Sequence, residues 1–206
     1  MTRALAVVAA LAALTAGAAF AAAPKPDAHD RALARALAAK VKTFREIAAQ
    51  TRGNDSFKQS LDRCPVVKKN PSQAFAAVFA ILPALLTELV NDYGPVLRDL
   101  RQTLLAMHPH AALFRRWTAA EAKNFDLILQ FDNHGKKVDL CEAATVMLDR
   151  KSTAADVHRV LGIDPSLIAK LFRAGASSTA TRLDPQMRAF FVAAGLSAKD
   201  AKTLTS

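Results

Sequence analysis

Aromatic and turn-forming residues are scarce in this chain: one Trp, one Tyr and seven Gly among 206 residues, with only two Cys. With so little glycine there is no phosphate-cradling loop, and neither a GxSxG elbow nor an HExxH pair occurs. A chain whose turns are mostly helix caps also offers few long loops on which to build an active site. The reading therefore leans away from an enzyme. No segment alternates apolar and polar residues between turn signals on both sides, which excludes a β class. Nor is there a run of five or six like charges, and the few aromatics and absent binding motifs argue against nucleic acid.

What is present is helical periodicity, and all-α is the class it supports. Phe75, Phe79, Leu82, Leu86, Leu89, Tyr93, Val96 and Leu100 recur at alternating steps of four and three, an apolar seam on one central helix. Ala74 to Leu86 contains no polar residue, so this part of the helix must be covered on every side. That run suits a buried core helix and is too short for a membrane span. Asn70-Pro71 starts the helix, whereas Pro83 and Gly94-Pro95 predict a bend, because proline cannot donate to the turn before it.

The compartment is legible at the N-terminus. Arg3, the apolar stretch Ala4 to Phe20 and the small residues Ala19-Phe20-Ala21 read as a signal peptide cut after Ala21. The expected location is extracytoplasmic: the bacterial periplasm or the exterior, with no transmembrane span after removal of the leader. In such a compartment Cys64 and Cys141 are expected to pair, clamping the central helix from both sides. Formal net charge is +10, carried as dispersed pairs such as Lys68-Lys69 and Arg115-Arg116, and it favours anionic partners.

The remaining elements follow from caps. A first helix over 27–50 sets Leu33, Leu37, Val41, Phe44 and Ile47 on an apolar side, and a basic stripe of Arg31, Arg35, Lys42 and Arg45 on another. Arg52-Gly53-Asn54-Asp55 ends it, and a short helix through Phe57 and Leu61 leads to Cys64. His108-Pro109-His110 closes the central helix, and 111–116 is a turn or two. Thr118-Ala119-Ala120-Glu121 reads as a capping box opening a helix with Phe125 and Phe131, stopped at 132–135. A helix over 138–148 carries Cys141. Short helices follow over 153–161 and from Asp164-Pro165 to Phe172; 174–181 reads as a linker, and Asp184-Pro185 and Ser197 open the last two. The expected architecture is one helical bundle over 22–151 around a proline-bent central helix, with 152–206 a short-helix segment packed on the same domain.

The preferred functional reading is a non-catalytic binding or interaction protein of the cell envelope, meeting an anionic component through its basic surface. An apolar, lipid-like ligand is the additional possibility, with Phe75, Phe79, Leu82, Leu86 and Phe125 as its lining. A haem or metal carrier using Tyr93, His108 or His110 is the alternative, although no HxxxH pair sets two imidazoles on one helical face. Without that alternative no cofactor is expected. Glu88 and Asp92, the one carboxylate pair at helical spacing near the seam, lie beside it and read as a solvated face.

Overall fold

The computed structural model describes residues 24–50, 64–66 and 80–205. Among these the chain is helical, with no strand: Ala28–Gln50 (α1), Leu82–Ala106 (α2), Ala112–Leu129 (α3), Leu140–Leu148 (α4), Ala154–Leu161 (α5), Ser166–Ser177 (α6), Thr179–Ala193 (α7) and Ala198–Leu204 (α8). The leader, the turn at 52–55, the helix through Phe57 and Leu61, the Asn70-Pro71 start, and Phe75 and Phe79 all lie outside the described residues.

Several expected caps form as read. Thr153 and Asp156 make a reciprocal capping box at the start of α5, and Gly162 closes it in the left-handed region at φ 71°. A side chain there would also crowd Asn133, whose Cβ would stand 3.1 Å from the added carbon. Asp139 caps α4 through the amides of Cys141 and Glu142, and Ser197 caps α8 through that of Asp200.

Several expectations are not met. The bend of the central helix is not shown: Leu82–Ala106 is one uninterrupted helix that carries Pro95 inside it, and Pro83 sits in its first turn, where a missing amide removes nothing. The capping box at 118–121 does not form, because 112–129 is continuous helix. Thr118 is buried there, and its hydroxyl donates back to the carbonyl of Phe114 at 3.1 Å. The linker at 174–181 is instead helix to Ser177, followed at once by α7, which Ser178 caps through the amide of Thr181; Pro185 lies inside α7 instead of opening it. The seam of α2 is also rotated from the predicted one. Leu86, Val90, Tyr93, Leu97, Leu100 and Leu104 are buried, whereas Leu89 and Val96 are only partly so.

The chain divides into two compact units: Met1–Gln50, Val96–Asp126 and Phe172–Ser206 form the first, and Thr51–Pro95 with Leu127–Leu171 form the second. The division cuts across the sequence-based boundary at 151/152, since the C-terminal third contributes to both.

The core of the first unit is aromatic. Phe114 of α3 meets Phe190 and Phe191 of α7 edge to face, at centroid distances of 5.6 and 5.4 Å, and Trp117 meets Phe191 at 5.4 Å. Ala34 and Leu37 of α1, Leu104 of α2 and Ala201 of α8 close around them. Ile47, expected on the apolar side of α1, is instead exposed. Where α1 begins, the carboxylate of buried Asp30 accepts from the amides of His110 and Ala111, so one helix supplies the cap of another.

The second unit is held by different means. Cys64 and Cys141 are joined by a disulfide across a Cα separation of 5.3 Å. Buried Asn133 donates to the carbonyls of Lys136 and Leu161, both at 2.9 Å, and accepts from Asn91 at 2.8 Å, tying α2, the 131–139 loop and α5 together. Arg159 of α5 bonds Glu142 of α4 at 2.7 Å. For a closed loop of 77 residues, chain-entropy reasoning credits the disulfide with about 4.5 kcal/mol as an upper figure. The Cys64→Ser, Cys141→Ser double variant is expected to lose about 2–4 kcal/mol of stability, measured by denaturant unfolding against the oxidised wild type.

Candidate functional site

Trp117, Glu121 and Asn124 stand four and three residues apart, on one face of α3. Ser178, Asp184 and Arg188 are their counterparts on α7 and its cap. The Trp117 Nε1–H donates to Asp184 Oδ1 at 2.8 Å, and Asn124 and Ser178 approach to 3.4 Å. Glu121, one turn on from Trp117, and Asp184 are both partly buried.

The electrostatics of the pair follow from this position. Burial pushes the Glu121 carboxyl up from its ordinary 4.5 to about 7, the negative charge of Asp184 adds to the rise, and a hydrogen bond with Asn124 opposes it. Burial also raises Asp184, against the stabilising effects of the Trp117 hydrogen bond and the Arg188 charge. No basic group among the described residues lies within ion-pair distance of either carboxylate. The guanidinium of Arg188 is committed elsewhere: Nε donates to Thr205 Oγ1 and Nη2 to the Thr205 carbonyl, each at 3.1 Å. This constellation was missed from the sequence, where Glu121 read as a cap residue and Asp184 as a helix opener. The spacing of Trp117, Glu121 and Asn124 is the one signal that could have found it.

The residues singled out from the sequence fall as follows. Leu82 and Leu86 are buried in the second unit, whereas Phe125 packs, partly buried, against the core of the first. Tyr93 is buried in the second unit, and His108 and His110 belong to the first. Both of these histidines serve the α1–α3 corner: His29 Nε2–H donates to the His108 carbonyl at 3.2 Å, and His110 Nδ1–H donates to Asp27 at 2.7 Å. His29 and His110 stack at 4.2 Å. Asp27 is held below the usual carboxylate range, first by the Asp30 amide and then by His110. Glu88 is half-buried, and its carboxyl is raised by burial and by Asp92 beside it, whereas Asp92 itself is exposed. Among the described residues no group of three or more His, Cys, Asp or Glu is placed to hold a metal ion.

The basic stripe of α1 is partly consumed by contacts inside the first unit. Arg45 donates to Thr203 of α8 at 2.8 Å, Arg31 to the Pro26 carbonyl at 2.9 Å, and Lys42 lies 3.8 Å from Glu46. Charge nevertheless divides unevenly. Over the full sequence the segments of the first unit hold seventeen Lys and Arg against eight Asp and Glu, an excess of nine, and those of the second hold eleven against ten, an excess of one. The four large apolar side chains exposed among the described residues, Ile47, Leu105, Phe172 and Val192, all belong to the first unit.

Fold and site together define an all-helical, disulfide-linked protein in which no helix of the described residues is long and apolar enough to cross a membrane. No family model, no curated protein and no solved structure matches the chain.

The raised Glu121 gives a signed expectation. The folded state holds this proton more tightly than the unfolded chain, so the group costs nothing below its ordinary 4.5. The cost grows as pH rises and is complete above about 7, where it amounts to about 3 kcal/mol as an upper figure. Glu121→Gln is therefore expected to be more stable than wild type at alkaline pH and nearly equal to it under acid conditions, as read by urea unfolding across the range.

Proposed function

We propose that this is an exported, non-catalytic binding protein of the cell envelope that engages an anionic membrane surface through its first unit. The observation that carries this reading is the charge division: a cationic excess of nine over the segments of one compact unit, Arg3 of the leader included, beside an excess of only one over those of the other. A basic surface concentrates anionic partners near it and draws them in at a distance set by salt.

The first unit adds apolar contact to charge. Helix α8 packs on α7 and α1; its Lys199 and Lys202 are exposed, as are Val192 of α7 and Lys42 and Ile47 of α1. Basic side chains beside exposed aliphatic ones suit the headgroup region of an anionic bilayer, where the charge meets phosphate and the aliphatic groups enter the interface. The disulfide supports an oxidising compartment for this activity.

Cosedimentation with vesicles tests it. Binding is expected to vesicles containing phosphatidylglycerol and not to pure phosphatidylcholine, and to weaken with added salt. Lys199→Glu with Lys202→Glu should reduce binding about tenfold or more, whereas Lys136→Glu with Lys137→Glu, in the second unit, should leave it nearly unchanged. Equal binding to both kinds of vesicle, or to neither, overturns the reading.

A further inference from the structure

Helix α8 has only seven residues and cannot hold itself, since isolated helices shorter than about 12–15 residues are marginal in water. Within the helix only Ala201 is buried; Leu196 is buried just before it, Thr205 just after it, and Leu204 packs partly buried against the core. Its far end is held by two polar ties. Arg45 of α1 donates from Nη1 to Thr203 Oγ1 at 2.8 Å and from Nη2 to the Thr203 carbonyl at 3.2 Å. Arg188 of α7 repeats the arrangement two residues on, with Nε donating to Thr205 Oγ1 and Nη2 to the Thr205 carbonyl, each at 3.1 Å. Thr205 Oγ1 in turn donates to the Ala201 carbonyl at 2.9 Å, which joins the last turn of α8 to the arginine that holds it.

All four acceptors are uncharged oxygens. Neither arginine makes an ion pair among the described residues, and Asp184, four residues before Arg188 on α7, feels its charge without bonding to it. Two partly exposed guanidiniums are thus held at one helix end with their charge unmatched. Their forked donors fit phosphate oxygens, and a bond to a charged acceptor is shorter and roughly twice as strong as one to a neutral carbonyl or hydroxyl. The carbonyls left behind lie at a helix terminus, where water can serve them. The near end of α8 offers a pivot. Gly195 has φ 94°, and nothing beyond its chain neighbours lies within 4 Å of the place a Cβ would take.

We propose that α8 is a latch opened by lipid phosphate: phosphate oxygens of an anionic bilayer take Arg45 and Arg188 from Thr203 and Thr205, and the last turn of α8 swings off α1 and α7 about Gly195. The latch rests on the membrane reading above and adds what the surface does to the protein. A bilayer suits this release where dissolved phosphate does not, because it supplies two things together. Its headgroups meet the guanidiniums, and also Lys199 and Lys202 of α8 itself, while its interface receives the apolar side chains that α8 had covered. The two helices from which α8 swings already expose Ile47 and Val192.

Hydrogen exchange of the oxidised protein tests the latch. With phosphatidylglycerol vesicles, amides of 201–205 are expected to exchange about tenfold faster or more than with phosphatidylcholine vesicles, while those of α3 keep their protection. Unchanged exchange at 201–205 in protein that does cosediment with phosphatidylglycerol overturns the latch and leaves the membrane reading standing; failure to cosediment overturns both. Protection lost throughout α3 and α7 also overturns it, since the whole unit would then be opening. Inorganic phosphate at the same phosphate concentration should leave 201–205 protected, and equal release by it overturns the bilayer as the source. Arg45→Lys with Arg188→Lys keeps both charges and loses both forks. In that variant 201–205 should exchange faster before any vesicle is added, and phosphatidylglycerol should change the rate by less than about twofold. A full vesicle response in the variant overturns the role of the two arginines. The wild-type comparisons decide the matter even where the variant does not fold.

Discussion

The first unit depends on the edge-to-face meeting of Phe114 with Phe190 and Phe191. Neighbouring helix residues point about 100° apart, so α7 can bury Phe190 and Phe191 completely only if it is covered over a wide arc. α3 covers one side, and residues of α1, α2 and α8 complete the enclosure. Each well-oriented aromatic pair adds about 0.5–1.5 kcal/mol beyond the area it removes from water. Segments that are far apart in sequence are thereby drawn to one centre. The polar cost falls at the edge of the same contact: holding Trp117 against Phe191 places its N–H on Asp184 and leaves Glu121 alongside.

The second unit relies on covalent and polar ties. The disulfide and the three hydrogen bonds of Asn133 do there what aromatic packing does in the first unit. A buried amide with its donors and acceptor satisfied is specific in geometry, since the loss of one partner leaves a desolvated group behind. The turn that delivers Asn133 is followed by His134 and Gly135 in the left-handed region, at φ 61° and 77°, where asparagine, histidine and glycine are tolerated and branched residues are not. The charge division runs along the same partition. The segments of the unit with the aromatic core carry nearly all of the cationic excess, and those of the unit with the disulfide are close to neutral.

Much of the helical content was legible because it rests on local chemistry. Thr153 with Gly162, Ser197 after Gly195, and the stop at 132–135 use residues whose preferred backbone and side-chain bonds act within one turn. The same rules misread Thr118 with Glu121, and Asp184 with Pro185. Those residue types do cap helices, but here Thr118 bonds back into its own helix and Asp184 accepts from Trp117 of another. The α2 seam shows the same limit in milder form: Leu89 and Val96 match the spacing as well as Val90 and Leu97 do, and only the neighbours decide which row is covered.

The sequence by itself therefore determined the helical class, the pairing of Cys64 with Cys141 and the caps that act within a turn, because each depends on a residue's own preferences or on a count of two. Tertiary structure alone decided that Trp117 binds Asp184, that His110 binds Asp27 and that the cationic excess gathers on one unit. Each of these joins residues dozens of positions apart. No local rule reaches that far, since such contacts form only when buried aromatic and aliphatic surface draws distant helices together.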